Sequence, residues 1–445
     1  MRSTFVRGRR WNTGAALAAV MTLVAAGCVG STATGSAPVS SGASQIATPT
    51  APAKSTVSPI DLSSVPLASS GTWKSIRWVQ VAATPFIEAT PSTDYTEFKI
   101  AGWSRGFVGF SLRTAGNLGA AGETTTTTSY SSDGVHWHAG VVLQQHPSTD
   151  NLDIRGVFEG PAGLVAVEES GGCGDTWVDG LLTSADGVTW QAVDMAKAFG
   201  KAVIWNVSGG STGFVATDTA GHAVWTSRDG QNWQPVKLDT PAFATSRIDD
   251  GTAFSAGYVL VGSTELVGAR SCATILPDPS ASPSPTPPLR VPAVWWSADG
   301  SNWLKADLPG AKADYQIQMW VQRLDDHTLA VFDGPAAWVS NDGLTWKPLT
   351  WPVPLTPWNG IGAQGEVSFQ TDGRRGVQIE GLIQAEQDPN AGSLSISMWT
   401  DGGLVTLAQS GDQPTHAFGA EWAVGPTGVV ITYDDQLWIG LPSSD

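Results

Sequence analysis

Four acidic side chains crowd one short stretch: Glu168, Glu169, Asp175 and Asp179, within the glycine-rich residues 168–180. Carboxylates that close can share a hard cation, or divide the roles of proton donor and proton acceptor. A solvated acidic loop is the competing reading, because the whole chain is acidic. It carries 40 Asp and Glu against 24 Lys and Arg, a formal charge of −16. A second candidate is aromatic. Trp351 and Trp358 flank Pro352, Pro354 and Pro357, and indoles on a stiff segment could stack on a sugar or a peptide. Local packing is the rival use of these rings.

Other chemistry is mimicked but not supported. Gly209-Gly210-Ser211-Thr212-Gly213 matches the nucleophile elbow, which requires a strand-to-helix turn. Here it falls between two strands. Gly360-Ile361-Gly362-Ala363-Gln364-Gly365 matches a dinucleotide fingerprint but opens a strand, not a helix. The six histidines show no metal-site spacing. No metal and no cofactor are expected. The acidity also argues against nucleic-acid binding, which needs cations to neutralise phosphates.

The elements that would position these residues come from a repeat. Ser-x-Asp-Gly-x-x-Trp occurs five times, with its aspartate at Asp133, Asp186, Asp229, Asp299 and Asp342. Around each copy, alternating apolar stretches are separated by Gly, Asp and Asn, the pattern of strands joined by hairpins. One interval is lengthened by the Pro/Ser-rich insertion 277–292, and insertions in repeats belong in loops. Trp399-Thr400-Asp401-Gly402-Gly403 is a degenerate sixth copy. The final stretch, residues 417–441, supplies only three strands. Residues 72–81 look like the missing fourth, so the N-terminal strand is expected to complete the C-terminal sheet and close the ring. The expected fold is an all-β, seven-bladed β-propeller of four-stranded antiparallel blades, with six blades as the alternative.

The five copies resemble the Asp-box (BNR) repeat of sialidase-like β-propellers, over roughly residues 72–442. The resemblance implies that the aspartates are structural and sit on one face of the ring. It also implies an exo-glycosidase with three arginines for a substrate carboxylate, a tyrosine nucleophile supported by a glutamate, and an aspartate acid/base. The first repeat opens Tyr95-Thr96-Glu97-Phe98-Lys99-Ile100-Ala101, without the family's Arg-Ile-Pro-like motif. The arginines of the body are few and do not fall at equivalent blade starts. Activity of that type is therefore not expected.

If the Asp boxes mark one face, the long loops mark the other, and long loops on a rigid scaffold are where binding concentrates. Cys173 and Cys272 both fall in such loops. Exported chains favour disulfides, so a Cys173–Cys272 bond is expected. It would close a loop of about 100 residues and contribute at most roughly 4–5 kcal/mol.

The N-terminus reads as an address. Residues 1–27 have a basic start and an apolar run too short to span a membrane stably. Leu23-Val24-Ala25-Ala26-Gly27-Cys28 resembles the bacterial lipobox, which implies cleavage before Cys28 and diacylglycerol on its sulfur. Residues 28–68, rich in Ser, Thr, Ala and Pro, read as a disordered tether. Residues 69–445 form the propeller. The expected protein is a monomer on the outer face of a bacterial cytoplasmic membrane, touching the membrane through its lipid alone. Its expected role is non-catalytic binding of a carbohydrate or protein partner through the loop face. The alternatives are a sialidase-like exo-glycosidase and an assembly or scaffold factor for a membrane complex.

Overall fold

The computed structural model describes residues 73–81, 95–114, 124–146, 153–171, 176–266, 288–351, 366–372, 375–381, 394–400, 403–411, 421–433 and 436–443. Among them the regular structure is almost entirely strand, with one five-residue α-helix at Met195–Phe199 and one 3-10 turn at Pro241–Phe243. The strands form antiparallel sheets in chain order. Sheet 1 is Tyr95–Trp103, Gly106–Thr114, Thr124–Ser131 and His138–His146. Sheet 2 is Asp153–Gly160, Gly163–Gly171, Thr176–Ser184 and Gln191–Ala192. Sheet 3 is Ile204–Gly210, Gly213–Asp218, Val224–Ser227 and Gln234–Pro235; one ladder position, Ile204 opposite Val178, joins it to sheet 2.

Sheet 4 is Ser246–Phe254, Gly257–Glu265, Arg290–Ser297 and Leu304–Ala306. Sheet 5 is Met319–Arg323, Leu329–Asp333, Ala336–Ser340 and Lys347–Pro348. Sheet 6 is Glu366–Thr371, Gly376–Gly381, Leu394–Thr400 and Gly403–Thr406. Sheet 7 contains Glu421–Gly425, Gly428–Tyr433 and Gln436–Ser443. Its fourth strand is Ser75–Val81, antiparallel to Gln436–Ser443 in the register Val79 opposite Ile439. Ala408–Gly411 then adds in parallel outside it, with Ile76 opposite Gln409.

Each sheet has neighbours on both faces, and the sequence shows it. The second strands read as continuous apolar runs instead of alternating ones, as strands covered on both sides do. Val259, Leu260 and Val261 are all fully buried, as are Leu329, Ala330 and Val331. Apolar clusters fill successive interfaces. Phe110 and Leu143 of sheet 1 pack with Ile154 and Leu164 of sheet 2. Val261 of sheet 4 packs with Val331 and Trp338 of sheet 5. The last sheet packs on the first in the same manner, through Ala423, Val430 and Ile439 against Ile100, Phe107 and Trp137. Each fully buried Val, Leu or Ile contributes about 1.5–3 kcal/mol.

The strand directions place functional groups. The third strand of a sheet runs parallel to the first, because both are antiparallel to the second. The Asp-box turn after the third strand therefore shares an edge with the first hairpin. The second-to-third connection lies at the opposite edge.

Candidate functional site

The five Asp boxes share one geometry. Ser227 Oγ donates to Asp229 Oδ1 at 3.1 Å and accepts from Gly230 N at 2.9 Å. Asp229 Oδ1 also accepts the amides of Gln231 and Asn232, and Trp233 Nε1 donates to the Gly230 carbonyl at 2.9 Å. The same bonds recur at Asp133, Asp299 and Asp342. Asp186 keeps the carboxylate bonds. Its tryptophan, Trp190, departs: Nε1 is buried without a partner, and the ring instead packs edge-on against Phe110 at 5.1 Å. Burial raises these carboxyls, and the bonds from amides, from the serine and from the residue before the tryptophan outweigh it, so all five lie below the ordinary carboxylate range. Their lone pairs are committed to the turn.

The acidic stretch is not one loop. Glu168 and Glu169 belong to the strand Gly163–Gly171 and Asp179 to Thr176–Ser184, with Glu168 opposite Gly180 and Glu169 opposite Val178. Strand pairing continues further toward the loop edge than glycine content suggested. Alternation then separates the neighbours: Glu169 is buried, 4% exposed, while Glu168 is half-buried. Asp179 is exposed and accepts from Trp177 Nε1 at 2.8 Å. Trp177, 38% exposed, is thus an indole held in place at the loop edge; the sequence reading passed over it although it lies in the same stretch. Trp351 is half-buried, stacked on Trp399 at 5.7 Å and edge-on to Phe332 at 5.6 Å. Cys28, Cys173, Asp175, Cys272 and Trp358 lie outside the described residues. Among the described residues, no group of three or more His, Cys, Asp and Glu side chains could hold a metal ion, and no helix is long and apolar enough to cross a membrane.

Sequence reasoning missed the centre. A cavity of about 350 Å³ is lined by the first strands of all these sheets, from Lys99 in sheet 1 to Glu421 in sheet 7. A larger one, about 630 Å³, lies at the outer edge between the boxes of sheets 3 and 4, but it is bordered by Asp-box groups already bonded within their turns. The central cavity has the richer chemistry. Three cations, Lys99, Arg155 and Arg323, and three carboxylates, Glu159, Asp250 and Glu421, line it.

Three β-bulges aim several of these groups. The register slips between Ile154 and Gly156, between Ile204 and Asn206, and between Ile248 and Asp250. In each first strand a buried isoleucine anchors the position before the bulge, and the extra residue bends the strand and re-aims the side chains beyond it. The groups at the bulges then bond onward from sheet to sheet. Arg155 Nη1 donates to the Trp205 carbonyl at 2.8 Å, with its guanidinium 5.6 Å from the Trp205 ring and its Nε 3.8 Å from Glu169 Oε2. Asn206 Nδ2 donates to Asp250 Oδ1 at 2.7 Å. Asp250 also accepts the amides of Gly251 at 2.8 Å and Val321 at 3.0 Å, and Asp249 that of Met319 at 3.0 Å. Burial pushes the Asp250 carboxyl up to about 6 despite these bonds.

Where sheets 7 and 1 meet, Lys99 pairs with Glu421. At the Asp-box end, Glu159 accepts from both the amide and the hydroxyl of Ser104. Burial raises Glu159 all the same, and Asp372 raises it further. Arginines do stand near the starts of first strands, but in different registers: Arg155 follows its anchoring isoleucine, and Arg247 precedes Ile248. What the arrangement can do chemically is present donors and acceptors in alternation to a small polar ligand.

No protein-family model matches the chain, and no curated protein matches it. Solved structures with similar folds include YCF48 bound to a D1 peptide (11% identity, 84% of this chain and 100% of that one, TM-score 0.36). Another is the Penicillium chrysogenum alpha-L-arabinanase complexed with arabinobiose (13% identity, 75% and 100%, TM-score 0.34). A third is the six-bladed fucose-recognising lectin of Aleuria aurantia (11% identity, 72% and 96%, TM-score 0.33). At these identities and scores the likenesses assign neither a family nor a function.

Proposed function

We propose that this chain is a lipid-anchored surface protein whose seven sheets are the blades of a closed β-propeller, and that the propeller binds a carbohydrate without catalysis in its central cavity. Support for closure is the N-terminal strand seated in sheet 7 and the packing of sheet 7 on sheet 1. Support for anchoring is the lipobox-like sequence ending at Cys28, with residues 29–68 as spacer and the outer face of the membrane as the location. The expected Cys173–Cys272 bond remains part of this reading.

One observation carries the binding function: a cavity of about 350 Å³ lined by six charged side chains with polar groups between them. That volume lies in the range of small-molecule sites, and it is too small to admit a folded partner. Sugars offer dense hydroxyls, each both donor and acceptor. The exposed, bonded Trp177 adds an apolar face at the loop edge of the kind that stacks on a sugar ring. The carboxylates are engaged by protein donors, which suits holding a ligand better than transferring protons.

A hydrolase is the second reading, and the raised carboxyls of Asp250 and Glu159 in one cavity favour it. Glycan-array binding by the full chain, run beside hydrolysis of a panel of aryl glycosides, separates the two. Binding without turnover is expected. Turnover abolished by Asp250→Asn or Glu159→Gln would replace the binding reading with the hydrolase. No glycan bound, with a membrane protein recovered by pull-down, would replace it with the scaffold role.

A further inference from the structure

Arg323 is the last residue of its strand in sheet 5 and lines the cavity at the Asp-box end. Its Nε is sealed from solvent and has no hydrogen-bond partner. The guanidinium reaches over the first strand of sheet 3, where a Cβ placed on Gly210 would stand 2.8 Å from Nη1. A buried donor without a partner is costly, and more so when it is charged, and this one belongs to a side chain that lines a cavity. The other two cations of the cavity are already engaged, Lys99 by Glu421 and Arg155 by Trp205 and Glu169.

The surroundings say what kind of group that is. Burial works against the charge on Arg323, and Asp326, Glu159, Asp372 and Asp325 all act to hold it. One guanidinium thus faces four carboxylates, of which Asp372 is also paired with Arg375 at 3.3 Å. Its charge is already balanced; its hydrogen bonds are not. An incoming carboxylate or phosphate would meet a net negative field, whereas a neutral hydroxyl or ring oxygen would meet the part of the guanidinium that lines the cavity. An acceptor for a hydroxyl proton is close by, because Glu159 lines the same end of the cavity.

We infer that Arg323 and Glu159 form a subsite for a neutral polyol, the guanidinium donating to one hydroxyl of a vicinal pair while the carboxylate accepts from the next. This rests on the reading of the cavity as a carbohydrate site and narrows it to uncharged sugars. Anionic sugars are excluded by the same carboxylates that balance Arg323.

The test pairs sugars that differ only by a carboxylate: glucose with glucuronate, and galactose with galacturonate. Each is titrated calorimetrically into the full chain and into Arg323→Gln and Arg323→Lys, with circular-dichroism melting to establish folding. At least one neutral sugar is expected to bind, and its uronate at least tenfold more weakly. Arg323→Gln is expected to weaken the neutral sugar roughly 10- to 100-fold, the value of a hydrogen bond to a charged group. Arg323→Lys keeps the charge but loses the planar donor set and is expected to fall between; it decides the matter if the glutamine variant does not fold. A uronate bound as tightly as its neutral partner overturns the inference, and so does neutral-sugar binding unchanged in a folded variant. In the second case the cavity reading survives alone. If no sugar binds at all, both fall together.

Discussion

At the scale of single residues, the Asp box is a turn that satisfies itself. Its consensus was legible as Ser-x-Asp-Gly-x-x-Trp. One position was not read. The residue before the tryptophan is His136, Thr189, Asn232, Asn302 or Thr345, and each offers the aspartate a side-chain hydrogen bond. Three residue types share that task, so no single letter repeats. The glycine has a second role that only packing reveals. Gly230 has φ +73° and would place a Cβ 2.4 Å from Val165 Cγ2 of the preceding sheet. Gly310, at φ +76°, has open space around it. Gly310→Ala is therefore expected to cost only the left-handed backbone penalty, about 1–2 kcal/mol. Gly230→Ala adds overpacking, for a total of about 2–5 kcal/mol. Denaturant unfolding of the two variants measures the difference; equal losses would mean that the box is not wedged against its neighbour.

At the scale of the element, the first strands are where sequence pattern failed. The boxes repeat because the third-to-fourth hairpin of five sheets is closed by the same turn. The inner strands do not repeat because each faces a different part of one shared cavity. An extra residue at a bulge also shifts the face that later positions present, so period-2 alternation miscounts from Ile154, Ile204 and Ile248 onward. The belt from Asn206 to Asp250 to Val321 was invisible for that reason. It has a titratable centre. The Asp250 carboxyl is raised to about 6 in the folded protein from an ordinary value of 3.8. A raised carboxyl contributes stability that is full below the unfolded value and is lost as pH rises through the folded one. Its contribution therefore declines between about pH 4 and pH 6–7. The Asp-box aspartates are depressed and act oppositely: their contribution is present above pH 4 and is lost on further acidification. Melting temperature followed from pH 5 to pH 7 leaves out the boxes, which stay ionised there, but not Glu159, Asp249 and Asp333, which burial also raises. Asp250→Asn is therefore expected to flatten the downward slope that the parent shows by its own share, whatever its effect at any one pH. Parallel profiles would place the titration elsewhere.

At the scale of the whole molecule, the N-terminal strand determines how the sheets hold together. That it belongs with the C-terminal strands was legible, because residues 72–81 share the pattern of a strand after a box and the last repeat lacks one. The extra parallel partner, Ala408–Gly411, was not; nothing local in Ala-Gln-Ser-Gly calls for a strand, and it pairs because Trp78 Nε1 reaches Gln409 Oε1 at 2.9 Å and Leu407 is buried beside it. The strand is thus gripped on both edges, with Ile76 and Trp78 fully buried between sheets. The consequence is that the two ends of the folded body, remote in sequence, are clamped in one sheet. An open array would unfold from its ends, sheet by sheet; a closed one has no end to start from. Arg77 stands opposite Leu441 in the ladder, and both positions reach solvent. Replacing both with cysteine, with Cys173 and Cys272 changed to serine to prevent exchange, should give a bond that forms on air oxidation. It would cross-link a loop of roughly 360 residues and add at most about 6 kcal/mol by restricting the unfolded chain. Faster migration on a non-reducing gel and a melting temperature raised above that of the reduced form are the expected results. Failure of the two cysteines to join in the folded protein would show that the ends are not held in one sheet and that the ring is open.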